Sequence, residues 1–296
     1  AWRTRELSIA LGVDLEEADA FGVVLFGASI DTIPCYDSLV RPILFGIGRE
    51  LGLDEGIAES QARFYGSLQR CFRYGKALGP LWGSQTSVLQ GCACSQIWIN
   101  LLMASWVWSL TEEVPTVRAV VFVDDRTLRS RGADDTQSGL DCTGRFDAKA
   151  GIGVEPDKRA AFTSSGDPTA VKAAQALHIN QKRLERKTDD KQLGVEHHFS
   201  GGRRKALQHE RALGAEAANE RLKRLALDPD KKERYASAAV LPKYPFGVES
   251  GAPAKKDTGR LRKNLAETLQ GSRKTQSSIE NLFTVVHDGA RVDPVQ

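Results

Sequence analysis

Several things are scarce in this sequence, and each scarcity removes a class of protein. Cysteine occurs five times in 296 residues, as Cys35, Cys71, Cys92, Cys94 and Cys142. One residue separates Cys92 from Cys94, and no other pair is close, so neither a zinc knuckle nor a disulfide framework is indicated. Reduced thiols in an intracellular protein, nuclear or cytoplasmic, are expected. Excess charge of one sign is also lacking: 41 Lys and Arg against 38 Asp and Glu leave a formal net charge of +3, too mild to demand a polyanionic partner. Glycine and proline, at 27 and 11, are too few for collagen or low-complexity disorder. No continuous apolar stretch follows Ala1-Trp2-Arg3-Thr4-Arg5 before the acidic Glu16-Glu17, which argues against a secretory signal; the missing initiator Met suggests a fragment or a processed chain. Val88 to Leu110 has no charged residue at all. That is enough to cross a bilayer, but Gln90, Gln96, Asn100 and several serines interrupt it, and a buried core helix is the expectation instead of a membrane span.

What is present suggests two domains. Phe21 to Ile30 reads as a strand that delivers Asp31 at its C-terminal end. Leu39, Ile43, Leu44, Ile47 and Leu51 recur at helical spacing, with Gly52 as a stop signal. A second helix is predicted from Ile57 to Tyr74, with Arg63, Arg70 and Arg73 among Phe64, Tyr65, Phe72 and Tyr74. Such a mixture can track a nucleic-acid backbone, or on one helix be a core face with a solvated edge. Gly75 to Gly91 should hold a turn and short extended pieces before the uncharged helix from Ala93 to Leu110. Ala119 to Val123 is a run of β-formers that ends in Asp124-Asp125-Arg126, after which Thr127-Leu128 resumes, as at the tip of a hairpin with buried strands. Gly132 to Cys142 reads as a polar loop, and Asp167 to Ala176 as a helix with Pro168 in its first turn. From Gly201 to Ala226 the periodicity is helical, and Gly251 to Lys274 carries seven basic and two acidic residues. The domain boundary is placed near 200, dividing 1–200 from 201–296.

Taken alone, Asp124-Asp125 is better explained by a turn than by a site. A second acid at the end of another buried strand, Asp31, alters that, because two hard divalent cations need carboxylate oxygens converging from neighbouring strands. Phosphoryl transfer is the chemistry such an arrangement suits.

The ordered motifs resemble the palm of reverse transcriptases, particularly those of non-LTR retrotransposons. Asp31-Thr32-Ile33-Pro34-Cys35-Tyr36-Asp37 is similar to the first palm motif, Ser87 to Ser95 with Gln90-Gly91 at its centre to the second, and Phe122-Val123-Asp124-Asp125 to the catalytic hairpin. Gly153 to Lys158 resembles the stretch that follows, Leu193-Gly194-Val195 the primer-grip region, and Leu241 to Glu249 a segment beyond it. The resemblance covers roughly residues 20 to 250. It implies an α+β fold, a polymerase palm whose antiparallel sheet is backed by helices, followed by a mostly helical thumb-like region.

The resemblance also implies an RNA-directed DNA polymerase serving retrotransposition, working on an RNA template, a DNA primer and dNTPs, with two Mg²⁺ ions or Mn²⁺ in their place. Asp31 and Asp124 would be the main metal ligands with Asp125 beside them. Tyr36 would be a steric gate against the ribose 2′-hydroxyl, or else a core tyrosine. Gln90-Gly91 would approach the nascent base pair, or Gly91 would only open a helix. Lys158 would approach the leaving pyrophosphate, or else be a surface lysine in a polar loop. Candidates for phosphate contacts are Arg203, Arg204 and Lys205, with Lys182-Arg183, Arg186-Lys187, Lys255, Lys256, Arg260, Arg262 and Lys263, each cluster being otherwise a solvated helix face. His197 and His198, adjacent on a strand, should point to opposite faces and share no metal. Two departures qualify the likeness: Pro34 stands where the family commonly has a lysine, and only about 30 residues precede Asp31, so most of the fingers would be missing. Other domains of a larger polyprotein are then expected as partners. The rival readings are an inactive palm that only binds nucleic acid and a two-metal nuclease.

Overall fold

The computed structural model describes residues 4–32, 35–192, 195–199, 206–244, 254–270, 283 and 293–294. The chain forms two compact units, residues 1–189 with 199–201 and residues 190–198 with 202–296.

The first unit opens with helix α1 (Thr4–Phe21). Gly22, at φ +64°, stops it, as a left-handed residue commonly does just past a helix end. Strand β1 therefore starts later than predicted and runs Phe26–Thr32. A short helix α2 (Cys35–Ser38) and α3 (Arg41–Glu50) follow. Helix α4 (Glu55–Ser67) begins at Asp54, whose carboxylate accepts from the Ile57 amide. It ends seven residues short of the predicted Tyr74, because Leu68 turns extended. Four short strands come next: β2 (Gln69–Arg70), β3 (Arg73–Tyr74), β4 (Ala77–Leu78) and β5 (Trp82–Gly83). Helix α5 (Ala93–Glu113) leads to β6 (Arg118–Phe122) and β7 (Asp125–Ser130).

The predicted polar loop at 132–142 is instead the start of helix α6 (Ala133–Ala150). Its buried face is built from small and hydroxylic residues, Thr136, Gly139, Thr143 and Gly144, beside Leu140 and Cys142. Close helix packing needs such residues: a Cβ on Gly139 would sit 3.2 Å from Val117. Composition therefore disguised a buried helix as a loop. Strand β8 (Val154–Thr163) and helix α7 (Pro168–Ala176) follow, the latter with Asp167 accepting from the amides of Thr169 and Ala170. Short strands β9 (His178–Ile179), β10 (Lys182–Arg183) and β11 (Glu185–Arg186) complete this unit's named elements.

The main sheet has the order β11-β8-β1-β7-β6. It is antiparallel except where β11 pairs parallel with β8. One face packs on α5 and α6 through Ala28, Ile30, Leu128 and Ala161 against Trp106, Leu110 and Leu140. Trp98, Ile99, Leu102 and Met103 of the same α5 fill a second cluster with Leu39, Leu44, Phe45 and Tyr65. One helix thus serves two cores, which explains its long stretch without charge. Among the described residues no helix is long and apolar enough to cross a membrane. On the other face, Phe162 stacks on Phe199 with ring centroids 4.0 Å apart. Gly27 makes room for this, since a Cβ there would collide with the Phe162 ring.

In the second unit, β12 (Asp189–Gln192) pairs with β13 (Val195–His198). Helices α8 (Ala206–Arg224), α9 (Pro229–Tyr235) and α10 (Lys255–Gln270) then pack around Ala212, Leu222, Val240, Tyr244, Leu261 and Leu265. The α+β class, with a mostly helical C-terminal part, agrees with the expectation from sequence.

Candidate active site

Strand β1 is the centre of the site because it lies between β7 and β8. Its residues alternate: Ala28 and Ile30 are buried against the helices, while Ser29 and Asp31 are only half-buried. Ile30 pairs with Arg126 on β7. Asp31 and Asp125 are each the next residue beyond that pair, the last of the register, on neighbouring antiparallel strands. Arg126 and Leu128 are buried, and Asp125 is exposed, so the two acids share the face away from α5 and α6.

Val123-Asp124 makes the two-residue turn of the hairpin, closed by the Phe122–Asp125 pair. Val123 takes φ +59°. A β-branched residue in the left-handed region is strained, at a cost of about 1–3 kcal/mol. Strain of this kind persists where the surroundings fix the turn, here through Val123 packing against the α3–α5 cluster. Sequence patterning placed this hairpin where it is found.

The hairpin is fixed from behind by a residue that the sequence reading passed over. Arg126 is fully buried and donates from Nη1 and Nη2 to both oxygens of Asp147 on α6, at 2.7 and 2.9 Å. Its guanidinium also lies 5.3 Å from the Trp106 ring centroid. Burial raises the Asp147 carboxyl above its ordinary value, and the Arg126 contacts pull it back. The signal was present: Arg126 has the same strand parity as Leu128, so a charge there had to find a buried partner.

Tyr36 lies on α2, half-buried against the α3–α5 cluster, with its hydroxyl 3.4 Å from Gln96 Oε1 as donor. Its carbonyl accepts from the Val88 amide at 2.8 Å, and the Leu39 carbonyl accepts from the Ser87 amide at 2.8 Å. These bonds tie the segment after Asp31 to the segment before Gln90-Gly91. Arg41 strengthens the tie, donating to the carbonyls of Tyr65, Thr86 and Ser87 at 2.6, 2.7 and 2.8 Å. Burial, with Arg70 nearby, lowers its guanidinium from the ordinary value. Ser87 Oγ accepts from Arg70 at 2.6 Å and donates to Asp37 at 3.3 Å.

Gln90 is exposed, and Gly91 takes φ +88° in the turn that opens α5, with open space where a Cβ would stand. Glycine is needed here for its dihedral. Cys92 caps the same helix, and the backbone N–H groups of Cys94 and then Ser95 lower its thiol.

Lys158 falls on β8, in the stretch where the register with β1 shifts after Ile30–Arg159, but its side chain lies outside the described residues. Arg203, Arg204 and Lys205 also lie outside them, as do Pro34 and Leu193-Gly194. Arg262 is occupied by Asp293, and Arg260 by Glu216 and Asp257; these two candidates for phosphate contact are structural ion pairs. Lys255, Lys256 and Lys263 are exposed. His197 is buried and His198 half-buried.

Among the described residues no three His, Cys, Asp or Glu side chains form a metal cage. The donors at the hairpin are carboxylates, and this suits Mg²⁺, which is held by one or two carboxylates completed by waters and substrate phosphates in place of an all-protein cage.

No protein-family model matches the chain, and no curated protein matches it by sequence. Solved structures do. Apo telomerase from Candida tropicalis is similar over 95% of this chain and 52% of its own, with a TM-score of 0.50 at 12% identity. Telomerase from Candida tropicalis in complex with a TWJ fragment of telomeric RNA matches over 96% and 53%, with a TM-score of 0.49 at 13% identity. The corresponding complex from Candida albicans matches over 93% and 48%, with a TM-score of 0.45 at 14% identity. The chain spans about half the length of these structures. The likeness shows the fold: a reverse-transcriptase-like arrangement.

Proposed function

We propose that this chain is a nucleotidyltransferase, an RNA-directed DNA polymerase of the non-LTR retrotransposon type, with residues 1–200 as palm and 201–296 as thumb. One observation carries the reading: Asp31 and Asp125 are the next residues past a paired position on adjacent strands, beside a strained turn that holds Asp124. Carboxylates from two distant segments thereby reach one end of the sheet, on the face away from α5 and α6.

Asp31, Asp124 and Asp125 would hold two Mg²⁺ ions, which when bound supply charge neutralisation and a more acidic primer hydroxyl. The primer 3′-oxygen attacks the α-phosphorus of a dNTP in line, and the bond to pyrophosphate breaks. Tyr36 sets its ring against the sugar and excludes a 2′-hydroxyl. Gly91 supplies a turn without a side chain next to the base pair. Lys158 gives a proton to the departing pyrophosphate, and Arg203, Arg204 and Lys205 hold template and primer phosphates.

Pro34 favours a second reading. Where the family commonly has a lysine, this residue removes a backbone donor, so an inactive palm that still binds RNA is the alternative. Primer extension on an RNA template separates the two. Extension with dNTPs and Mg²⁺ that is lost in Asp124→Ala supports the polymerase. Salt-dependent binding without extension supports the inactive palm, and cleavage without dNTPs would indicate a nuclease.

A further inference from the structure

The mixed basic and aromatic segment that sequence alone left open is divided by the structure. Tyr65 is in the core at 1% exposure. Arg63 and Phe64 stay with it on α4, and the remainder leaves the helix and forms a β arm over Gln69–Gly83: Gln69 and Arg70 pair with Gly83 and Trp82, and Arg73 and Tyr74 pair with Leu78 and Ala77. The Gly79 amide donates to the Phe72 carbonyl at 2.8 Å, which joins the two halves. At the tip, Gly75 takes φ +60° and opens a tight turn with Lys76.

The arm exposes what a folded protein normally covers. Tyr74 is 91% exposed, Phe72 77%, Leu78 69%, Leu81 65% and Trp82 41%. Grouped apolar exposure of this kind marks a surface that another molecule covers. Phe72 and Trp82 are already stacked, with centroids 6.1 Å apart and planes 28° from parallel. From Gln69 to Gly83 there are three cations, Arg70, Arg73 and Lys76, and no acid. Flat rings held on a hairpin and flanked by cations are the two parts of a single-strand platform: bases stack on the rings while phosphates meet the cations. A protein partner would be met by apolar surface alone and gives no reason for the missing acids. Duplex hides its base faces and cannot use the rings.

Resting on the reading of the chain as a nucleic-acid polymerase, we infer that the 69–83 arm is a docking platform for an unpaired RNA strand, with Phe72 and Tyr74 stacking on bases and Arg73 and Lys76 contacting phosphates. Arg70 is held at the base of the arm by Ser87 and anchors it. Stacking does not read the 2′-hydroxyl, so single-stranded DNA should bind nearly as well.

The test is equilibrium binding of fluorescein-labelled U15 RNA to the full chain by anisotropy, in EDTA and without dNTPs. Phe72→Ala/Tyr74→Ala removes two exposed rings, and with them the stack on Trp82 within the arm, but touches no buried cluster, so its melting temperature should stay close to wild type. Its affinity for U15 should fall about tenfold, the equivalent of about 1.4 kcal/mol, with the slope of log affinity against log salt unchanged. Arg73→Ala/Lys76→Ala should lower that slope by about 1.4. Unchanged U15 affinity in the ring variant overturns the inference, and so does equal loss for a blunt duplex, which would indicate a surface not selective for unpaired bases. A wild-type chain that extends a primer yet holds no U15 also overturns it while leaving the polymerase intact. U15 binding through the rings in a chain that never extends a primer keeps the arm and refutes the polymerase.

Discussion

Arg126 and Asp147 meet as a buried bidentate pair directly behind the hairpin that carries Asp124 and Asp125. Both side chains are essentially without solvent, so each has lost hydration that only the other restores. Breaking one partner should therefore be far worse than removing both. Arg126→Met is expected to cost about 3–5 kcal/mol, because Asp147 is left as an uncompensated buried charge, whereas Arg126→Met/Asp147→Leu should be neutral or more stable. Urea unfolding of the two variants checks this. If the pair also fixes the turn, the stable double variant should extend primers more slowly than wild type.

Two backbone conformations near the site can be tested by substitution. Gly91 at φ +88° has open space around it, so any cost of Gly91→Ala is dihedral and not steric. A loss of about 1 kcal/mol is expected. Val123 at φ +59° should respond in the opposite direction, Val123→Gly gaining about 1 kcal/mol as strain relief exceeds lost packing. Denaturant midpoints measure both.

How much of this was legible in the sequence follows from which signals are local. The Val-rich run broken by Asp124-Asp125 is local, and the hairpin formed there. Asp167-Pro168 states a helix start by itself, and the helix formed there too. Helix α6 was not legible, because its buried face uses Thr136, Gly139 and Thr143, residues that look like loop until Val117 and Trp106 are packed against them. The β arm was hidden for the opposite reason. Its rings at Phe72 and Tyr74 are close in sequence to the buried Tyr65 and look like more of the same stripe. Nothing in the sequence tells an aromatic that seeks a core from one left outside.

The cysteines on the two sides of the first unit should differ in reactivity. Backbone N–H groups at the start of α5 lower the Cys92 thiol, while burial first and then Glu113 raise that of Cys142. At a pH just below the ordinary thiol range, Cys92 has more thiolate than a free cysteine and Cys142 less. Iodoacetamide at pH 7.5 should label Cys92 well before Cys142, as read by peptide mass spectrometry. Equal rates would mean that α5 or α6 is not packed as described.

Tyr36 is the residue whose role is most open to direct test. Its ring is half-buried and its hydroxyl makes a long contact to Gln96, so Tyr36→Ala should leave the fold intact. If the ring excludes the ribose hydroxyl, the variant should accept rNTPs at least about tenfold better relative to dNTPs. Unchanged sugar preference would make Tyr36 a packing residue.

The central claim is that Asp31 and Asp124, 93 positions apart by their numbering, act on one phosphoryl transfer. Single-turnover primer extension by Asp31→Asn, Asp124→Asn and the double variant tests it most directly. Groups that act as a unit are non-additive: each single variant should lose about a hundredfold or more, and the double should be no slower than the worse single. Extension by either single variant at near the wild-type rate, or losses that multiply in the double, would contradict a shared site.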